Sequence, residues 1–425
     1  MAIALSTLAI LTAWILLFLQ VEPVPTWFYV LAWYPTLVLL DAVATRLDGR
    51  PSALWRPSMI SLFAWSPVIW LLFEAANFRL INWYYIFLPH SNLERWAGIL
   101  LSFATVVPAL LLAERVLDAA GVFTNWRRYR VRVRTWDVRG AVALGISMGA
   151  LSLSLPKTFF PLIWGAAFLV ADPIVYQLTP RYSLIGDLER GDWGRLCRLL
   201  LGGLGIGLVW EMYNFWARGK WVYTVPWLEQ IKLFEMPPFG FVGFPVFALE
   251  AWSMYYALCA IGVAVPLGGK AVLSRGRTAF AACVCLGLSI AILIGMEHTT
   301  ISSTVPTMDR LPGVRESTIE GIRAAHITSV FELASTTPTD LAAATQLKSQ
   351  DVGTAIDVAR LVTLQGMGTE HGRVVLALGV NSVCELARQD PDILHAEARV
   401  RTVGVRPTPA EVRVWIRAAR RHCPP

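Results

Sequence analysis

Two stretches set a carboxylate beside an amide at a spacing that could do chemistry. Glu211 and Asn214 stand three residues apart at the end of an apolar run, and Glu74 and Asn77 repeat the arrangement earlier in the chain. A spacing of three puts both side chains on one helical face. An aromatic segment follows each pair, with Trp83 and Tyr85 after the first and Trp221 and Tyr223 after the second. Four further acids, Asp41, Glu114, Asp172 and Glu250, lie within or at the ends of apolar runs. A carboxylate at bilayer depth costs about 2.5–3.5 kcal/mol on insertion scales, so each one needs a partner or a role. Asn77 and Asn214 are the nearest partners for Glu74 and Glu211, with Arg79 and Arg115 as further ones.

Such a set of acids could protonate or deprotonate a substrate, relay protons, or pin helices together through hydrogen bonds. In the catalytic reading, Glu74 and Glu211 act as acid or base and Asn77 and Asn214 orient them. Glu114 and Glu250 then support the pairs, and Asp41 and Asp172 are relay or structural groups. The four aromatic residues mark the membrane interface. Other chemistries find no support. There is no G-x-S-x-G, Walker loop or H-E-x-x-H, and the only histidines near the apolar part, His90 and His298, fall at its edges. No metal or cofactor is expected. The six cysteines show no C-x-x-C spacing. They read as small buried hydrophobes rather than as a disulfide framework or a zinc site.

The elements that must hold these residues are membrane helices. The chain has 425 residues, 55% of them hydrophobic and only 16% charged, where a soluble domain carries about 25% charged residues. Nine apolar runs approach the roughly 20 residues of a spanning helix, at about 2–20, 27–45, 58–77, 98–120, 140–156, 158–176, 198–216, 239–264 and 278–296. The runs are continuous rather than alternating, which excludes a closed barrel. The first lacks a basic leader and a small-residue cleavage site, so it is read as a helix and not as a signal peptide.

The membrane part reads as an internal duplication. PTWFYVLAW at 25–33 matches PKTFFPLIW at 156–164, and Asp41 and Asp172 keep the same offset of 131 residues. Glu74/Glu211 and Asn77/Asn214 are offset by 137, Trp83/Trp221 and Tyr85/Tyr223 by 138, Pro108/Pro245 by 137 and Glu114/Glu250 by 136. Two copies of four helices, residues 1–126 and 138–268, would be parallel and related by a two-fold axis along the membrane normal, with a ninth helix at 278–297. The Arg-rich loops around Arg46–Arg56, Arg127–Arg139, Arg181–Arg198 and Lys270–Arg277 fall on the side shared with the N-terminus. That side should be cytoplasmic, in a cell or inner membrane. The basic run Arg127–Arg134 could also meet anionic headgroups. The aromatic segments 79–95 and 217–238 fall on the outer side, as interfacial or re-entrant pieces.

After a linker at 298–308 the composition becomes that of a soluble helical domain, residues 309–425. Leu311/Leu364, Gly313/Gly366, Val330/Val383, Glu332/Glu385, Leu333/Leu386 and Pro338/Pro391 all stand 53 apart. This pattern resembles the tandem helix-hairpin-helix family over about the last 110 residues. The resemblance implies an all-α fold and a glycine hairpin, Gly366-Met367-Gly368, whose backbone N–H groups can approach a phosphate or a partner. In the first unit Arg315 stands where the second glycine would be. Lys and Arg nearly balance Asp and Glu here, which disfavours nucleic acid as a partner. A protein partner or self-association is the expected use, and an odd number of spans puts this domain outside the cytoplasm.

In the membrane part, Gly219-Lys220-Trp221-Val222-Tyr223 followed by Pro245 and Glu250 is similar in order to the G-x-W-x-Y … P-x-E pattern of the small membrane-bound carotenoid (lycopene) cyclases. That resemblance implies acid–base chemistry on an isoprenoid without histidine. Three readings stay open. The protein is an enzyme with a carboxylate site for a lipid-soluble substrate, a proton-coupled transporter using the same acids, or a scaffold whose C-terminal repeats recruit a partner.

Overall fold

Prolines and left-handed residues punctuate the long apolar runs. The computed structural model describes residues 1–225, 231–270, 272–345, 347–401 and 406–423. Residues 226–230 of the second aromatic segment lie outside the described residues. Helix α1 covers Ala2–Phe18. Helix α2 (Val24–Asp48) stops at Gly49, whose φ of 67° ends the helix in the left-handed region. Helix α3 (Pro57–Leu80) opens on a proline that needs no N–H partner in the first turn. Helices α4 (Asn92–Ala104) and α5 (Val106–Ala119) make one apolar rod interrupted at Thr105. Pro108 removes an N–H just beyond that point. Ser66 on α3 fills the gap: its hydroxyl donates to the Phe103 carbonyl at 2.6 Å and accepts from the Val107 N–H at 3.0 Å.

Helix α6 (Thr135–Ser154), the short α7 (Pro156–Phe159), α8 (Ile163–Leu178), α9 (Leu184–Arg190), α10 (Gly194–Trp216), α11 (Gly243–Ala260) and α12 (Arg275–Thr299) complete the apolar half. Among the described residues, seven stretches are long and apolar enough to cross a membrane: Val24–Asp48, Pro57–Leu80, Asn92–Ala119, Pro156–Leu178, Gly194–Trp216, Pro238–Ala260 and Arg275–Thr299. Of the nine expected runs, the first is a helix of 17 residues, and the fifth, α6, is not among the seven. The chain is mostly helical and multi-pass by this measure, and its one sheet among the described residues has two strands.

Contacts divide the chain into two compact units. The first comprises Met1–Asn82, Trp96–Ala217 and Val225–Met296. Within it α11 packs on α8, α10, α3 and α5, and α5 also packs on α2. Two glycines allow α10 to approach α11. A Cβ on Gly203 would lie 2.7 Å from Ala248 Cβ, and one on Gly207 would lie 2.3 Å from the Phe244 ring.

The second unit comprises Trp83–Arg95, Arg218–Thr224 and Glu297–Pro425. Its sheet pairs β1 (Trp83–Ile86) antiparallel to β2 (Lys220–Tyr223). Residues 300–305, within the expected linker 298–308, run along β1. Tyr85 N–H donates to Thr300 at 2.7 Å, and Ser302 N–H donates back to Tyr85 at 2.9 Å. Helices α13 (Glu316–Ala324), α14 (Val330–Ser335), α15 (Pro338–Ala344) and α16 (Ser349–Val362) close one core around Ile322, Leu333 and Ile356. Helices α17 (Gly368–Ala377), α18 (Val383–Ala387), α19 (Pro391–Arg401) and α20 (Pro409–His422) close a second around Leu386 and Trp415. The expectation that no cysteines pair is corrected here. Cys384 and Cys423 form a disulfide across 39 residues, with Cα atoms 5.2 Å apart. Packing of α18 on α20 creates this proximity, which no local spacing could announce.

Candidate carboxylate site and its aromatic shell

The two Glu-x-x-Asn pairs lie near the ends of long helices and are fully enclosed. Glu74, Asn77, Glu211, Asn214 and Glu250 are all 0% exposed, so none of these acids faces lipid. Glu74 accepts a hydrogen bond from Trp70 Nε1 at 2.8 Å, one turn back on α3. Asn77 has a different task. Its Oδ1 accepts the Asn82 N–H at 2.8 Å, tying down the left-handed exit of α3 at Ile81, where φ is 52°. Glu211 lies close enough to Tyr29 on α2 to act on its hydroxyl electrostatically. Arg79 and Arg115 do not serve as the expected partners. Arg79 reaches the Ser154 carbonyl, and Arg115 pairs with Asp41 at 2.8 Å and Asp48 at 3.3 Å.

Rings from three helices, α3, α8 and α10, meet on Phe247 of α11. Trp70 lies 5.2 Å away centroid to centroid, Phe73 5.3 Å, and Trp164 and Trp210 6.1 Å each. Trp33 of α2 joins through Trp210 at 5.9 Å. Glu74 is tied to this group through its bond to Trp70. Sequence reasoning missed Trp70, Trp164 and Trp210. Trp70 was in reach, since a donor four residues before a buried glutamate shares its helical face.

Glu114 and Glu250, which stand 136 residues apart, are held differently. Glu114 is ion-paired with Arg198 of α10 at 2.8 Å, and the same guanidinium reaches Asp118 at 3.2 Å. Glu250 meets a broken helix. At Trp164 (ψ 117°) and Gly165 (φ 100°) the backbone of α8 leaves helical geometry and then restarts. Glu250 Oε1 accepts the Ala167 N–H at 3.0 Å, so a carboxylate caps the restarted helix where its unsatisfied N–H groups point outward. The backbone at the break, Gly165 and Phe168, also offers N–H groups to the Glu250 carboxyl.

Asp41 and Asp172 are organising acids. Asp41 accepts from the Ser52 hydroxyl, and from the Ala53 N–H at 2.9 Å. Asp172 accepts from the Ser183 hydroxyl at 2.8 Å and the Leu184 N–H at 3.0 Å. Both acids hold the loop that follows their helix, eleven and twelve residues on. Nearby, between two spans, Asp187 is pushed up to about 6 by burial, even with Arg190 and Arg195 at ion-pair distance.

The interface aromatics belong to the sheet of the second unit. Trp83 pairs with Tyr223 and Tyr85 with Trp221, about a centre at Tyr84–Val222. The glycine hairpin also belongs there. Gly366 (φ 83°) and Gly368 (φ 62°) both lie in the left-handed region. Chain fills the space beyond each: a Cβ on Gly366 would lie 3.2 Å from Ile86, and one on Gly368 2.5 Å from Ser303. Among the described residues no group of three or more His, Cys, Asp and Glu is placed to hold a metal.

Residues 339–422 match a family described only as a domain of unknown function, DUF4332. No curated protein and no solved structure matches the chain.

Proposed function

We propose that the membrane half is a duplicated helical protein whose enclosed carboxylates work on a lipid-soluble, isoprenoid-like ligand. The observation that carries this reading is the ring cluster on Phe247, to which the enclosed Glu74 is bound through Trp70. An enclosed carboxyl beside an apolar ligand is placed to hand it a proton or to take one. Faces of Trp and Phe favour positive charge that develops beside them. Glu74 and Glu211 are the acid and base, Asn77 and Asn214 position the ends of their helices, and Glu114 with Arg198 holds α5 to α10.

Three features support the duplication. Asp41 and Asp172 hold their loops through the same bonds at a constant offset. The helices α3 and α10 and the strands β1 and β2 recur in the same order. The strand register is symmetric, as two copies of one segment must be about a two-fold axis. The tandem helix-hairpin-helix reading of residues 309–425 is supported by α13/α17, α14/α18 and α15/α19 recurring in order, and by the left-handed glycines. Its disulfide fits an oxidising compartment and so an outer placement, opposite the Arg-rich loops, in a cell membrane. There it would serve a protein partner or self-association rather than nucleic acid.

The test is lipid extraction and mass spectrometry of the purified full chain, with Glu211→Gln and Glu74→Gln alongside. One specific apolar lipid should co-purify with the wild type, and the variants should keep it unconverted. If only bulk membrane lipid is found, the reading fails. A second reading, proton-coupled transport, is favoured by the break at Trp164–Gly165, because broken helices with a carboxylate at the restart are how carriers build midplane sites. It expects pH-dependent solute uptake into proteoliposomes that is lost in Glu250→Gln.

A further inference from the structure

Five arginines stand in the eight residues from Arg127 to Arg134, and no acid occurs between Asp118 and Asp137. The fold makes a fixed strap of this stretch. It runs outside any helix, alongside the turn that joins α9 to α10. Arg128 N–H donates to the Gly191 carbonyl at 3.1 Å, Val131 N–H to that of Leu188 at 3.0 Å, and Trp193 N–H to that of Trp126 at 3.3 Å. Arg127 and Asp192 pair as an antiparallel bridge. The close approach requires a glycine, because a Cβ on Gly191 would lie 2.9 Å from the Arg128 carbonyl oxygen. Two ring pairs clamp the strap further, Phe123 on Trp126 at 4.5 Å and Tyr129 on Trp193 at 5.2 Å.

The strap is held at the depth of lipid headgroups, because Trp193, to which it is bonded, precedes the stretch Gly194–Trp216, long and apolar enough to cross a membrane. Its five arginines are exposed while Val131 and Val133 are half-buried, so the chain's alternation turns guanidinium groups outward and valines inward. Tyr129 and Trp136 are 73% and 65% exposed, as aromatic residues at a membrane interface are. Among the described residues no carboxylate comes within ion-pair distance of any of the five arginines. The acids beside the strap are taken up by other groups. Asp187 pairs with Arg190 and Arg195, Glu189 accepts from the Tyr176 hydroxyl at 2.8 Å, and Asp192 accepts from Gly194 N–H at 3.0 Å. Asp137 accepts from the Arg134 backbone N–H at 2.8 Å. The positive charge is therefore left for a partner, and a guanidinium fork matches two oxygens of one phosphate. We propose that the 127–134 strap is a binding site for anionic phospholipid, whose phosphates are taken by Arg130, Arg132 and Arg134 while Tyr129 and Trp136 enter the interface. This site is independent of the carboxylate reading of the membrane half.

The test uses the purified full chain in detergent and a fluorescent phosphatidylglycerol, competed by unlabelled phosphatidylglycerol, phosphatidylcholine or inorganic phosphate. The wild type should prefer phosphatidylglycerol to phosphatidylcholine by at least about tenfold, since each arginine at an anionic surface is worth about fivefold. Salt at about 1 M, where the Debye length is about 3 Å, should shrink that preference. Arg130→Gln, Arg132→Gln and Arg134→Gln combined should bring the two lipids to within about threefold and leave phosphatidylcholine binding unchanged. Lys270→Gln with Arg275→Gln removes exposed cations outside the strap and should leave the preference intact. Because all these side chains are exposed, unfolding temperatures without added lipid should not move. Equal affinities in the wild type, a preference that survives the triple variant, or one lost equally in the Lys270 and Arg275 variant would overturn the site. If inorganic phosphate or a single-stranded oligonucleotide displaces the labelled lipid as well as phosphatidylglycerol does, the strap takes a soluble anion and the lipid assignment falls.

Discussion

The buried acids divide by what holds them. Glu114 has a full countercharge in Arg198, and breaking a buried pair from one side strands the other charge. Arg198→Met should therefore lower stability by about 3–5 kcal/mol, and Glu114→Gln combined with Arg198→Met should recover most of the loss. Thermal unfolding in detergent of both single variants and the double reads this; additive losses would mean that the two charges do not depend on each other. Glu74 accepts from a neutral donor at 2.8 Å, the Trp70 indole. Trp70→Phe keeps the ring against Phe247 and should cost about 1–2 kcal/mol. In the proposed site it should also reduce turnover or retention of the co-purified lipid, whereas a purely structural tryptophan would leave retention unchanged.

Between elements, the close packing of α10 on α11 is set by absent side chains. Gly207→Ala would drive a methyl group to within 2.3 Å of the Phe244 ring, so a loss of about 1–3 kcal/mol is expected. Gly205 on the same helix has nothing within 4 Å of its would-be Cβ, and Gly205→Ala should be neutral or stabilising by up to about 1 kcal/mol. The pair of unfolding temperatures separates packing from helix propensity. In the second unit His371 on α17 is 2% exposed, stacks by Trp415 at 4.8 Å and shares a hydrogen bond with Ser302 at 3.2 Å. Burial holds its protonated form back, so its affinity for a proton is lowered from the ordinary value of 6.5. The unfolded chain then binds the proton more readily. Stability from this group is full above about pH 6.5 and falls as the pH drops below it. Hydrogen exchange of α17 and α20, corrected for intrinsic rates, should speed up between pH 7.5 and 5.5 in the wild type and less so in His371→Gln.

At the scale of the molecule, the disulfide and the symmetric strand pair constrain how the chain is laid out. Cys384→Ser should destabilise the C-terminal unit by about 2–4 kcal/mol. In a variant retaining only Cys384 and Cys423, a membrane-impermeant maleimide applied to intact spheroplasts should label after reduction and not before. Labelling that requires lysis would move the domain to the other side and remove the outer placement. The helical class, the C-terminal change in composition and the enclosed acids were legible from the residues, because apolar length and period depend only on neighbours along the chain. The break at Trp164–Gly165 was not, since a lone glycine in an apolar run reads as helix until a carboxylate from α11 is seen capping the restart.

The sequence by itself determined that the chain is helical and apolar enough to cross a membrane several times, and that Glu74, Asn77, Glu211 and Asn214 need enclosure. Those conclusions rest on local periodicity and on the cost of burying charge. Only the tertiary structure decided the partners. Arg198 came to Glu114 across 84 residues, Cys423 to Cys384 across 39, and β2 to β1, because long-range pairing depends on which helices pack, and no spacing along the chain encodes that.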